Sequence, residues 1–283
     1  MLLDVIKDAL IDSVKLLPFL FAAYLLIEII EKRAEDKTVA LIHRAGKWGP
    51  VAGAALGVIP QCGVSTAMSN LYAGGLITRG TLLAVFLSTS DEMLPILISS
   101  NAPAGFIVRV LCVKVAAGIL TGILVDTLEA RFGHPRHMTL RDLCEQEHCR
   151  NEEEGILLSA LRHTGKIFAF ILAVSFLMNL LVEGLGADRL GSFILNRPVA
   201  GELLAGLIGL IPNCAASVVI TSLYLQGGMT AGAMLSGLLV GSGVGLLVLF
   251  RMDRDWKDNL LTLGILYASG VLFGILAGGL NIL

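Results

Sequence analysis

Two stretches of this chain carry nearly the same text. The first reads GVIPQCGVSTAMSNLYAGGLITRG from Gly57, and the second reads GLIPNCAASVVITSLYLQGGMTAG from Gly209. Extended without a gap to Ser99 and Arg251, the copies agree at 15 of 43 positions. Each sets a proline, a cysteine and a serine in the spacing Pro-x-Cys-x-x-Ser inside otherwise apolar sequence. The lead-in corresponds as well, with Ala9, Leu10, Lys15 and Phe19 matching Ala160, Leu161, Lys166 and Phe170. Such a duplication restricts the chain to two related halves. In an apolar chain it is the pattern of a carrier with one site between them.

Composition puts the duplication in a bilayer. With 55% hydrophobic residues, 16% charged residues, 32 glycines and a mean hydropathy of +0.80, the chain is too apolar for a soluble domain of this length. A spanning helix needs about 20 mostly apolar residues, and that ruler cuts the chain into segments. The first half yields 14–30, a short pair 50–59 and 64–77 meeting at Pro60-Gln61-Cys62-Gly63, then 80–99 and 104–128. The second yields 167–182, a pair broken at Pro212-Asn213-Cys214, then 231–250 and 260–283. The expected organisation is a first membrane repeat over 1–128, a polar linker over 129–162, and a second membrane repeat over 163–283.

Five segments per unit is an odd number, so the second copy enters the membrane upside down. The expected fold is therefore an all-α polytopic membrane protein of two inverted five-segment repeats, about ten transmembrane segments, with broken or re-entrant helices. Placing the N-terminus outside puts fifteen lysines and arginines on one face and only Lys7, Lys15, Arg189 and Arg197 on the other. The positive-inside bias makes the first face cytoplasmic, with both termini outside and the linker inside. The location expected is the inner (plasma) membrane. Acidic residues Asp4, Asp8 and Asp12 argue against a cleavable leader, and the five cysteines form no secreted disulfide framework, so they read as thiols.

Polar residues at the breaks are the candidate substrate site. Proline removes a backbone donor and disfavours helix in the residue before it, so Pro60 and Pro212 free carbonyls that only protein or a wet cavity can satisfy. Gln61, Cys62, Ser65, Asn213, Cys214 and Ser217 are thereby expected around one internal cavity, although a kink lined by small residues for packing gives the same text. Asp91 and Glu92 face Gly243 and Val244 in the other copy and so have no counterpart. A carboxylate at membrane depth costs at least a few kcal/mol, so the pair reads as cation ligands or proton-coupling groups, with Ser90 beside them; a position near the outer surface is the plainer reading. The matched GLLVGSGVG stretch could unwind at Gly241-Ser242-Gly243 and offer neutral oxygens, or serve only close packing. Arg109 and Lys114 lie inside the fifth segment and have Asp91, Glu92 and Asp126 as possible partners, or else snorkel to the interface.

The linker carries His134, His137, Cys144, His148 and Cys149 among glutamates. Imidazole and thiolate suit zinc, copper and similar ions, so a weak metal-capture role competes with a solvated linker; the spacing is not that of a closed zinc finger. No cofactor and no nucleic-acid partner is expected.

The paired IPQCG and IPNC motifs, the TSDEMLP segment, the Cys/His-containing middle loop and the five-plus-five arrangement resemble the ten-helix heavy-metal exporter family. Its members are commonly labelled manganese transporters or arsenic efflux proteins, similar to the organoarsenical permeases. The resemblance implies a secondary transporter of a heavy-metal or metalloid ion; the broken repeat and its carboxylates add the expectation of efflux by alternating access with proton coupling through Asp91 or Glu92, the partners being lipid, the ion, protons and a possible second copy. The linker here is poorer in His and Cys than the family leads one to expect. A carrier of an organic or inorganic anion bound at the broken-helix ends is the alternative, since helix N-termini attract negative charge. An intramembrane enzyme is disfavoured, because no Cys–His pair lies at membrane depth.

Overall fold

A computed structural model describes residues 48–59, 62–90, 93–132, 199–253 and 255–280, with the isolated positions 18, 21, 25, 161, 164, 165, 168, 169, 172, 173 and 282. These residues form an all-helical structure. In the first half lie α1 (Gly49–Gly57), α2 (Cys62–Ala73), α3 (Arg79–Ser88), α4 (Met93–Ser99) and α5 (Ala104–Phe132). In the second lie α6 (Ala200–Gly209), α7 (Cys214–Leu225), α8 (Ala231–Val240), α9 (Gly245–Met252) and α10 (Trp256–Gly279). The pairs α2 and α7, and α3 and α8, start and stop at positions separated by the same offset that relates Gly57 to Gly209.

Local sequence explains why the two sets share boundaries. Gly75 and Gly227 take φ of 70° and 74°, a left-handed turn that costs a side-chain-bearing residue about 1 kcal/mol or more. Behind them Leu76 N bonds to Leu71 O at 2.9 Å, and Gly228 N bonds to Leu223 O at 2.8 Å, closing α2 and α7 in the same way. Three residues after each glycine, Thr78 and Thr230 open α3 and α8. Their hydroxyls accept from Thr81 N and Ala233 N, both at 3.1 Å. The Gly-x-x-Thr text, written twice, thus builds the same helix hairpin twice.

The next two helices in each half are consecutive pieces of one apolar stretch. Thr89 ends α3 with an extended ψ of 127°, and α4 starts at Met93. In the second half α8 ends at Val240, Gly243 has φ of 57°, and α9 starts at Gly245. Among the described residues four stretches are long and apolar enough to cross a bilayer: Arg79–Ser99, Ala104–Arg131, Ala231–Met252 and Trp256–Gly279. The expected lead segments 14–30 and 167–182, and nearly all of the linker, lie outside the described residues.

Packing is built on close backbone approach. Helix α3 is buried along its length and sandwiched between α1 and α5, as α8 is between α6 and α10. A Cβ on Gly53 of α1 would stand 2.9 Å from Thr81 O, and one on Gly118 of α5 would stand 2.7 Å from Ala84 O. In the second half a Cβ on Gly274 of α10 would stand 2.9 Å from Gly232 O. In lipid the hydrophobic effect does not drive helices together, so small residues that allow dense van der Waals contact supply the association. The outward faces of α5 and α10 carry Val108, Leu120, Leu124, Leu260, Leu272 and Leu276 exposed, the inverse of a soluble helix pair. The halves also interlock: α2 packs on α9, and α7 packs on α4.

Candidate functional site

The interlocking brings both Pro-x-Cys-x-x-Ser helices to the interruption between α8 and α9. From the first half, Ser65 lies so near that a Cβ on Gly245 would stand 2.8 Å from its Cβ. One turn on, Ser69 donates to Ser65 O and to Gly245 O, each at 2.8 Å. From the second half, Ser217 Oγ is 3.6 Å from where a Cβ on Gly241 would be. Ser242 lies within the interruption, 2% exposed. Three of the residues expected at one site, Ser65, Ser217 and Ser242, therefore border the same short non-helical segment.

The remaining expected residues divide into described and undescribed. Asn213 is buried and caps α7, accepting from Ala215 N at 3.4 Å. Ser90 is buried after the end of α3 and donates to Ser88 O at 3.2 Å. Cys62 and Cys214 are the first helical residues of α2 and α7; their side chains, like Gln61, Asp91, Glu92 and the linker residues His134, His137, Cys144, His148 and Cys149, lie outside the described residues. Among the described residues no three His, Cys, Asp or Glu side chains converge on one point.

The helix ends here set the chemistry. Carbonyls at the end of α8 carry the negative pole of its dipole, while the amides that open α2, α7 and α9 carry positive poles. Carbonyl oxygens of one polarity thus lie beside amides of the other. One such carbonyl, Leu238 O, accepts from the Lys114 ammonium of α5, which is 1% exposed.

Two polar groupings lie apart from this place. Arg79, at the start of α3, pairs with Asp258 of α10 and with Glu129 of α5, the latter at 2.7 Å. Tyr72 closes the cluster, donating to Asp258 Oδ2 at 2.7 Å and accepting from Arg79 Nε at 3.2 Å. It ties α2, α3 and α5 of one half to α10 of the other. At the start of α3, Asp126 accepts from Gly80 N at 2.9 Å and Thr78 Oγ1 at 2.8 Å. In the second half Gly278 stands where Asp126 would be, and Glu202 of α6 fills the space: its Oε1 lies 2.7 Å from the position of a Cβ on Gly232. The same space beneath a buried helix receives a carboxylate from two different neighbours.

Of the two readings open for Arg109, pairing with a carboxylate or reaching the interface, the structure has the second. It is exposed near the start of α5, bonding Gly105 O at 3.2 Å, because a long side chain close to a helix end reaches the interface rather than the core. Asp126 pairs with a hydroxyl and an amide, not with Lys114 or Arg109. Sequence reading missed Ser69, though a signal was present. Ser69 and Thr221 occupy matching places four residues after the motif serines, and Thr221 Oγ1 likewise donates to Ser217 O at 2.7 Å. Glu202 and the Arg79 cluster gave no local signal, since their partners are distant in sequence.

A family model described as "Putative, 10TM heavy-metal exporter" matches residues 1–189, the first half with the linker and the start of the second. No curated protein and no solved structure is significantly similar to the chain.

Proposed function

The chain belongs to this family of multi-span heavy-metal exporters, and on that premise we propose that it is a secondary transporter binding its ion where α2 and α7 meet the interruptions in α3–α4 and α8–α9. The observation that carries the reading is the convergence of the two motif serines on residues 241–245, one from each half. Cys62 and Cys214 at the helix starts would suit a soft ion such as trivalent arsenic. Asp91, Glu92, Gln61, Asn213 and the hydroxyls of Ser65, Ser90, Ser217 and Ser242 suit manganese or another hard divalent ion. The ion is thus a heavy metal or metalloid, exported by alternating access.

In this proposal the halves are inverted repeats that rock against each other, with the termini outside and the linker in the cytoplasm. Matching helix boundaries and the odd number of segments support the inversion. The Arg79–Asp258 cluster then lies on the cytoplasmic side and locks the halves there, so transport requires it to open. Asp91 and Glu92, unmatched in the second copy, carry the coupling proton. Cys62→Ala and Asp91→Asn are expected to abolish metal resistance in cells while leaving the protein in the membrane at ordinary levels. Unaltered resistance in both variants would sink the proposal.

A further inference from the structure

We propose that the Lys114 ammonium is a built-in substitute for a monovalent coupling cation, seated at the C-terminal end of α8. The proposal rests on the carrier reading above, because only a carrier has use for a coupling cation. Helix α8 makes its last helical bond from Gly241 N to Gly237 O at 3.0 Å. In a continued helix Leu238 O would accept from Ser242 N; here the chain leaves the helix at Gly241 and Lys114 Nζ donates to that carbonyl instead. The lysine reaches it from α5, in the other half of the chain. It sits ten residues into that helix, which at about 1.5 Å per residue is roughly mid-depth in a bilayer.

Oxygens at this end of α8 suit a positive charge. Carbonyls at a helix C-terminus and the nearby Ser217 and Ser242 hydroxyls are neutral oxygens carrying a fractional negative charge, the setting that takes sodium, potassium or an ammonium group. An ammonium matches those ions in charge and donates where they would coordinate. The corresponding residue in the second copy is Leu266, fully buried. Helix α10 therefore brings no cation to the end of α3, and the substitution is made once, on one side. With Lys114 in place Leu238 O is taken, so in this proposal the wild-type protein needs neither sodium nor potassium there.

The test uses the full-length purified protein and thermal unfolding in NaCl, KCl or choline chloride at equal ionic strength. The wild-type midpoint is expected to be the same in all three salts. Lys114→Ala is expected to fall in choline chloride and to regain about 5 °C or more in NaCl or KCl, the size set by millimolar binding to a vacated site. Lys114→Gln, which keeps a donor for Leu238 O but no charge, is expected to show the same salt response and serves if the alanine variant does not fold. Leu266→Ala should respond equally to the three salts. Equal depression of the Lys114 variants in every salt, or a wild-type midpoint that rises with sodium or potassium, overturns the proposal. Because the readout is stability, it is separate from the carrier reading, which falls only if the wild type moves no metal ion in any salt.

Discussion

Replacing Gly245 with alanine tests whether the two halves meet as closely as described. The new Cβ would stand 2.8 Å from Ser65 Cβ, 3.0 Å from Phe86 Cε1 and 3.0 Å from the Ser65 carbonyl carbon. Carbon atoms rest at about 3.5–4.0 Å, so the deficit is roughly 0.5–1 Å on two sides at once. Ser65 cannot rotate away, because its backbone carbon is itself one of the close atoms. Overpacking of this kind costs about 1–3 kcal/mol, and displacing Gly245 O from Ser69 adds about 0.6 kcal/mol at the average strength of such bonds in membranes. Against this, alanine gains at most about 1 kcal/mol of helix propensity, and less at a first helical residue. Steric cost wins. At about 2–4 °C per kcal/mol for a chain of this size, the midpoint in detergent should fall by roughly 3–8 °C, and ion flux should fall with it. Gly264→Ala in α10 is the control, since nothing lies within 4 Å of its Cβ position; it should gain up to about 1 kcal/mol. A Gly245→Ala protein as stable as Gly264→Ala would refute the close approach of α2 to α9.

Other expectations follow from the same contacts. Arg79→Met should destabilise by about 1–3 kcal/mol, because it removes the charge facing Asp258, whose side chain is only 15% exposed, and the more exposed Glu129. Adding Asp258→Asn should restore part of the loss, with a coupling of about 0.5–3 kcal/mol in a double-mutant cycle. Gly227→Ala, at φ of 74°, should cost about 1 kcal/mol by thermal unfolding, whereas Gly279→Ala, with open space at its Cβ position and no positive φ, should cost little. Thr230→Ala should cost about 1 kcal/mol through the lost α8 cap.

The elements easiest to read in the sequence are those whose cause is local. Gly75 and Thr78, repeated as Gly227 and Thr230, determine where α2 and α7 stop and where α3 and α8 begin, because the turn and the cap each involve neighbours within a few residues. Four of the apolar stretches are likewise visible from length alone. The site was legible only in part. Ser65 and Ser217 were marked by the duplication, but their meeting at Gly241 and Gly245 depends on the packing of α2 against α9, which no spacing announces. Lys114 shows the limit clearly. A buried lysine calls for acceptors, and sequence directs attention to carboxylates, yet one acceptor is a backbone carbonyl freed by a helix end 124 positions away. Arg109, five residues nearer the start of the same helix, has the same charge and the opposite fate because a helix end is within reach of water.

Flux in reconstituted vesicles tests the central claim most directly. Purified wild-type protein and the Cys62→Ala and Asp91→Asn variants would be placed in lipid vesicles and challenged with manganese, zinc, cadmium and arsenite. The expected result is saturable movement of at least one of these ions by the wild type, accelerated by an imposed proton gradient and lost in both variants. No flux above that of protein-free vesicles for any ion, or equal flux in all three proteins, would contradict a metal-transport site built between the two halves.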